Sequence, residues 1–345
     1  MIDYPHEQTI HCENGAIRNM LKLHHLDISE PLIFGIGSGI SFTHIPFLTM
    51  DSFRLTMPRP APVKIFKNFA NAFGFKLYHQ KFCSKKRSMK QLDDLLAQEI
   101  PVGLVVNLLH LNYFPADHRG NFSGHHIVVY GKEENLYYVS DTMPELPDGR
   151  EIMTREELLR VRFNNSFLSP RGSLFYVKDI PQELNLYKGV WIGIQKTCKE
   201  MLHHPIKYFG IKGLFLLSDE MKKWDRKFTF ADKKANLRHL VRLFEDAGTG
   251  RSAFRYLYAR FLKEAAVIGK EEKLAILSTQ MTEIADLWQN FSLQMLRYTK
   301  FVNEENVTMT LIEISDLLLE IAHAEKELFE QLEQLLLKHQ DVFID

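Results

Sequence analysis

The chain has 345 residues, and its 43 Lys and Arg are balanced by 43 Asp and Glu. Neither half is a polycation, which excludes a protein whose main task is gripping nucleic acid, because that affinity comes from clustered Lys and Arg. A composition of 45% hydrophobic and 25% charged residues fits a globular protein of about two domains and excludes a disordered chain.

The opening residues, Met1 to His6, lack the basic stretch and apolar run of a secretory signal, so a cytoplasmic location is expected. No apolar stretch reaches the ~18 residues of a membrane span, and no membrane association is expected. Cys12, Cys83 and Cys198 are too few and too widely spaced for a disulfide framework or a CxxC zinc site, and no metal site is expected. Residues 13–23 have helical apolar spacing, and Ser29-Glu30-Pro31 is a helix start with Ser29 as its cap. Gly35, Gly37 and Gly39 follow as a helix end and bend or as a substrate loop; no strand precedes them, as a dinucleotide fingerprint requires.

Residues 58–62, rich in proline, lead into a helix over 63–73 that Gly74 ends. Lys85-Lys86-Arg87 is expected as a solvated loop, with a helix over 88–98 after it. Strands are expected over 101–109, 126–130, 136–140 and 172–177, with 131–135 as a hairpin turn between the second and third. Helices first and strands second point to α+β packing. No proline follows Pro205. Residues 188–203, 231–247, 252–268, 271–301 (with a break possible) and 307–339 have helical periodicity, which predicts an all-α bundle. The boundary near Ile180 divides the chain into residues 1–180 and residues 181–345.

Cys12 stands directly before a helix, where unpaired backbone N–H groups and the positive end of the macrodipole stabilise a thiolate. His126 opens a strand, and Asp141 ends the next one. A hairpin brings the start of one strand beside the end of the other, so an acceptor at Asp141 would orient an imidazole at His126. Taken singly, each residue has an ordinary structural explanation; the combination has the order of a Cys-His-Asp triad.

The first 180 residues resemble the papain-like cysteine peptidase superfamily, and are similar to bacteriocin-processing peptidase domains. The closer resemblance, over nearly the whole chain, is to the butirosin-biosynthesis acyltransferase family. It rests on His11-Cys12-Glu13-Asn14-Gly15-Ala16, Ser29-Glu30-Pro31, residues 34–39 (Phe-Gly-Ile-Gly-Ser-Gly), residues 124–131 (Gly-His-His-Ile-Val-Val-Tyr-Gly) and Ser140-Asp141. In the second half it rests on residues 250–256 and 261–266.

The resemblance implies a papain-like N-terminal domain followed by an all-α helical C-terminal domain. It implies an acyltransferase, as in antibiotic biosynthesis. An acyl or aminoacyl group would leave the phosphopantetheine thioester of an acyl carrier protein, pass through an acyl-enzyme on Cys12, and reach a small amine acceptor. His126 would be the base and Asp141 its orienter, with no cofactor beyond the carrier's phosphopantetheine arm. His125 competes for the base role; strand alternation puts it on the opposite face, and the resemblance favours His126. Papain-like proteases place an oxyanion-hole Gln upstream of the Cys at a position held here by His6, so the candidate donors are Gln8, through a different loop shape, or the Cys12 backbone N–H with another group. His11, Gly37, Ser38 and His125 are candidate substrate contacts. Lys85, Lys86, Arg87 and Lys90 are candidates to meet an acidic carrier, and residues 112–124 to gate the acceptor pocket. The apolar helices of the second half make a homodimer an open possibility. Two alternatives stay open: a cysteine peptidase or amidase, in which water replaces the amine, and a non-catalytic binding protein on the same fold.

Overall fold

The computed structural model describes residues 2–50, 52–116, 118–164, 169–246, 248–301 and 303–343. In chain order the elements are α1 (Cys12–Leu23), α2 (Glu30–Ile36), β1 (Thr43–Met50), β2 (Phe53–Met57), α3 (Lys64–Ala72), β3 (Leu77–Gln80), α4 (Lys85–Leu96) and β4 (Val102–Val106). Then come β5 (His125–Glu133), β6 (Leu136–Ser140), β7 (Arg150–Thr154), α5 (Arg155–Arg162) and β8 (Leu174–Val177). The helices α6 (Leu186–Leu202), α7 (Gly210–Met221), α8 (Trp224–Lys227), α9 (Phe230–Val241), α10 (Arg255–Ile268), α11 (Lys273–Lys300) and α12 (Leu311–Leu336) complete the chain. The class is α+β.

The chain forms two compact units, one of residues 1–33 and 61–185, the other of residues 34–60 and 186–345. A boundary at 180 assigns residues 34–60 to the first half, whereas they pack with the helices. The physical reason is visible at Gly193 on α6. A Cβ there would meet the Ile36 Cα at 2.5 Å and the Gly35 carbonyl oxygen at 2.6 Å, so the end of α2 lies directly on that helix. Among the described residues, 186–343 form helices and no named strand, as expected, and β1 and β2 add a two-stranded antiparallel ribbon to the second unit.

The first unit holds a six-stranded antiparallel sheet in the order β3-β8-β4-β5-β6-β7. Cross-strand partners share a face, so Val102, Leu104 and Val106 line up with Val129, Ile127 and His125. This face is covered by Met89, Leu92 and Leu95 of α4 and by Leu158 and Val161 of α5, all buried in one apolar cluster that also takes in Cys12. On the opposite face the Phe175 ring packs edge-on against Phe66 of α3 and lies 5.7 Å from the His126 ring. Gly103 is needed there: a Cβ would enter the Phe175 ring, 2.1 Å from its nearest atom.

The basic run Lys85-Lys86-Arg87 is not a loop. Ser84 accepts from the Arg87 N–H and caps α4 one turn earlier than expected. The hairpin turn is tighter than expected, because β5 runs on to Glu133 and leaves Glu134 and Asn135 to turn the chain.

In the second unit α11 runs unbroken for 28 residues. It contains neither Gly nor Pro, and Leu274, Leu277, Met281, Ile284, Trp288, Phe291 and Met295 supply buried residues at helical spacing. Thr310 and Glu313 form a reciprocal capping box at the start of α12. Buried between these helices, Arg255 holds Glu325 through two hydrogen bonds of 2.8 and 2.9 Å while the Trp288 indole donates to the same carboxylate at 2.7 Å. The helix expected to start at Ser252 starts at Arg255, because Arg251, Ser252, Ala253 and Phe254 all take left-handed backbone angles. The expected helix over 231–247 ends as α9 at Val241 and continues as one π turn to Asp246; Ala247 lies outside the described residues.

Candidate active site

Cys12 is the first residue of α1, and the residue before it, His11, places no side-chain cap on the helix. The positive end of the helix is thus left to the thiol. The approach to Cys12 is fixed by Glu30. Its buried carboxylate accepts the Ile10 N–H at 3.0 Å and the His11 N–H at 2.8 Å, and Asn14 of α1 lies at 3.5 Å. Burial pushes the Glu30 carboxyl up, against the pull of these donors.

The segment upstream of Cys12 is bound to the loop after β6. His6 Nδ1 lies 2.7 Å from Ser140 Oγ, and the Thr9 N–H donates to the Thr142 carbonyl at 2.8 Å. At Gly15 an added Cβ would stand 2.1 Å from Thr142 Oγ1 and 2.2 Å from Thr9 Oγ1. Only a glycine lets the first turn of α1 come this close to the loop that carries Asp141.

Two imidazoles flank the thiol. His126 Nδ1 lies 3.7 Å from Cys12 Sγ, and its Nε2 lies 3.6 Å from Glu13 Oε2. Glu13 also accepts the Val63 and Phe66 N–H groups, both at 3.1 Å, which ties α1 to the start of α3. His125, on the other face of the strand, meets Asp141 Oδ2 through Nε2 at 2.7 Å. Burial alone would lower the His125 pKa; the Asp141 carboxylate and the Cys12 side chain outweigh it and raise it to about 10. Asp141 accepts further bonds from the Tyr113 hydroxyl at 3.0 Å and the Met143 N–H at 3.3 Å. Burial and the neighbouring Asp141 push the Tyr113 hydroxyl far up, so it remains a donor.

This arrangement corrects the expected pairing of Asp141 with His126. The cause is a β-bulge. Counted from the hairpin turn, Glu133 faces Leu136 and Gly131 faces Tyr138, a register that would carry Asp141 to the face of His126. Between Gly131 and Val129 the register slips by one, leaving Tyr130 without a cross-strand partner, and Val128 faces Ser140. One extra residue moves Asp141 to the other face of the sheet, where His125 stands.

Gln8 is also placed otherwise than expected. Its side-chain amide donates to the Met143 carbonyl at 3.2 Å and to the Leu146 carbonyl at 2.5 Å, so both amide hydrogens are used in holding that loop and none is left for an oxyanion. His11 is buried at the start of α1. Gly37 and Ser38 belong to the second unit. There the Gly39 N–H returns to the Phe34 carbonyl at 2.8 Å and the Ser38 N–H to the Gly35 carbonyl at 3.0 Å, the double bond pattern of a helix C-cap. The left-handed residue of that cap is Ser38, not a glycine.

Sequence reasoning missed Tyr113 and the roles of Glu13 and Glu30. Glu30 carried one signal, a carboxylate in a helix start shortly after the cysteine. Tyr113 carried none, since it lies in the long connection between β4 and β5; Asp117 of that connection lies outside the described residues. His203, paired with Glu333 at 2.8 Å, and the buried Cys198 stand apart in the second unit. Among the described residues no helix is long and apolar enough to cross a membrane.

A family model described as Butirosin biosynthesis protein H, N-terminal, matches residues 11–142, a span that holds Cys12, His125, His126 and Asp141. A second, described as Domain of unknown function (DUF4872), matches residues 156–332, more than half of the chain. No curated protein matches the chain. A solved structure from Bacillus anthracis, described as a C39-like peptidase, is similar over 52% of this chain and 96% of its own, at 14% identity and a TM-score of 0.34. The chain belongs to the family defined by the DUF4872 domain, joined here to an N-terminal region of the butirosin biosynthesis protein H type.

Proposed function

We propose that the protein is a cysteine acyltransferase in which Cys12 is the nucleophile and His125, oriented by Asp141, its acid and base. The observation that carries this reading is the grouping at one helix start: a thiol, an imidazole 3.7 Å from it, and a second imidazole locked to a buried carboxylate at 2.7 Å. The butirosin-type N-terminal region makes a thioester the donor of choice. Exchange of one thiol for another on an acyl group is nearly isoenergetic, which suits a cysteine.

In the first half-reaction the Cys12 thiolate attacks the thioester carbonyl and the carbon–sulfur bond to the donor breaks. The departing thiolate takes the proton of the His125 imidazolium. Acylation leaves Cys12 uncharged, and His125 has given up its proton to the departing thiol. His125 is then neutral and able to accept a proton. In the second half-reaction an amine attacks the acyl-enzyme, the bond to Cys12 breaks, and His125 takes a proton from the nitrogen. Asp141 holds the ring through Nε2, while the Tyr113 hydroxyl and the Met143 N–H steady its side chain. The N–H groups of the first turn of α1 are the candidate donors to the oxyanion.

The donor is an acyl group on the phosphopantetheine arm of a carrier protein, and the acceptor is a small amine. Lys85, Lys86, Arg87 and Lys90, exposed on the first turns of α4, are the candidate docking patch. The test is product formation from an acyl-pantetheine thioester and a small primary amine. The expected result is an amide made by the wild type and not by Cys12→Ala. An amide formed equally by both would remove Cys12 from the reaction. Free acid as the sole product would make the protein a thioester hydrolase.

A further inference from the structure

Amide formation from a protonated amine has a proton balance that one base does not meet. At neutral pH an alkylamine is an ammonium ion, and its nitrogen must lose two protons to become an amide nitrogen. A single imidazole accepts one. Hydrolysis of the same acyl-enzyme requires only one proton to be taken from water as it attacks.

Resting on the acyltransferase reading, we infer that His126, with Glu13 behind it, is a second catalytic base at Cys12 and that it deprotonates an ammonium acceptor. The geometry is specific. His126 Nδ1 faces Cys12 Sγ at 3.7 Å, and Nε2 faces Glu13 Oε2 at 3.6 Å, within ion-pair range. A carboxylate on the Nε2 side favours the tautomer with its proton there and leaves the Nδ1 lone pair on the side of the sulfur. It also balances the charge that appears when Nδ1 is protonated. Glu13 is held in place by the Val63 and Phe66 N–H groups at 3.1 Å. His125 is engaged with Asp141 on the opposite face of the strand. The two imidazoles thus have separate partners: His126 faces the sulfur and Glu13, and His125 faces Asp141. Cys12 and Glu13 on α1 face the His126 ring, and β8 brings the Phe175 ring against it.

The steps balance. The ammonium gives its first proton to His126 Nδ1 and becomes a neutral amine. The amine attacks the acyl carbon, the carbon–nitrogen bond forms, the carbon–sulfur bond to Cys12 breaks, and His125 takes the second proton. The cycle returns the Cys12 thiolate and the His125 imidazolium, and His126 releases one proton to solvent for each amide made.

The experiment compares wild type, His126→Gln and Glu13→Gln, each first acylated on Cys12 with an acyl-pantetheine thioester. Each acyl-enzyme is then mixed with a primary alkylamine or with hydroxylamine, which is largely unprotonated at neutral pH. For His126→Gln we expect alkylamine transfer from the acyl-enzyme to fall about 100-fold relative to hydroxylamine transfer from the same acyl-enzyme. Glu13→Gln should show a smaller loss with the same selectivity. Equal loss toward both nucleophiles, no loss toward either, or loss of acylation itself in a folded His126→Gln would overturn the assignment. Failure of wild-type Cys12 to acylate at all would instead overturn the acyltransferase reading, and this inference with it.

Discussion

His125 Nε2 stands 2.7 Å from Asp141 Oδ2, and a single unpaired residue, Tyr130, decides that it does. Without that bulge the register set by the hairpin turn would bring the carboxylate to His126. The strand thus presents two adjacent histidines to one cysteine, and the bulge selects which of them is paired with the acid.

The first prediction follows from that selection. His125→Gln should lose Cys12 acylation by about 100-fold or more, since it removes the proposed acid and base. Asp141→Asn should lose less than His125→Gln, because the carboxylate orients the ring and transfers no proton. Single-turnover acylation rates measure both. A larger acylation loss in His126→Gln than in His125→Gln would reverse the assignment.

A pH dependence of stability follows from the same pair. The folded-state pKa of His125 is raised from the ordinary 6.5 to about 10. The pairing therefore contributes its full stabilisation below 6.5, and that contribution is lost as pH rises through about 10. Wild type should lose more unfolding free energy than Asp141→Asn between about pH 6 and about pH 10, measured by urea unfolding. Parallel curves for the two proteins would show that the pair does not titrate in that window.

Much of the framework was legible in the sequence, and the site only in part. The helix at Cys12, the strands on either side of the hairpin and the long periodic helices all carry strong local patterns. The pairing at the site did not, because a bulge has no local signature in the run Val128-Val129-Tyr130-Gly131. The ribbon of β1 and β2 carries no clear strand pattern, because its residues are half exposed and alternate poorly. Residues 34–60 could not be assigned to the helical unit, since that placement depends on the contact between α2 and Gly193. Gln8 shows the opposite error: a plausible donor by position is consumed by two carbonyls that only the folded loop supplies.

Glu30 should act as a positioning residue for the nucleophile. Glu30→Gln leaves an amide group facing one of two backbone N–H donors, at a cost of about 1–3 kcal/mol in unfolding free energy. Acylation of Cys12 should fall as well, with hydroxylamine transfer from any acyl-enzyme that forms little changed. Urea unfolding and single-turnover rates together check this; unchanged stability would show that Glu30 does not fix the approach to α1.

Gly15→Ala should disturb the site through the Asp141 loop. The added methyl meets Thr142 Oγ1 and Thr9 Oγ1 at 2.1 and 2.2 Å. The substitution should destabilise by about 1–3 kcal/mol. In a Thr9→Ala, Thr142→Ala background it should cost clearly less, because the atoms it strikes are gone. Equal costs in the two backgrounds, by thermal unfolding, would contradict the close approach.

The basic patch offers a test of carrier docking. Lys85, Lys86 and Arg87 occupy the first turn of α4, where the helix dipole disfavours cations. Changing all three to Glu should raise thermal stability slightly. It should also raise KM for an acylated carrier protein and leave an acyl-pantetheine donor unaffected. An unchanged KM for the carrier would remove this patch as its docking site.

The central claim is that Cys12 accepts the acyl group from a thioester. Wild-type protein is exposed briefly to an acyl-pantetheine thioester, quenched in acid, weighed intact and digested to locate the added mass. The account predicts one acyl group per chain, on the peptide holding Cys12, and none in Cys12→Ala. Acylation of the exposed Cys83 in place of Cys12, or of both proteins alike, would contradict it.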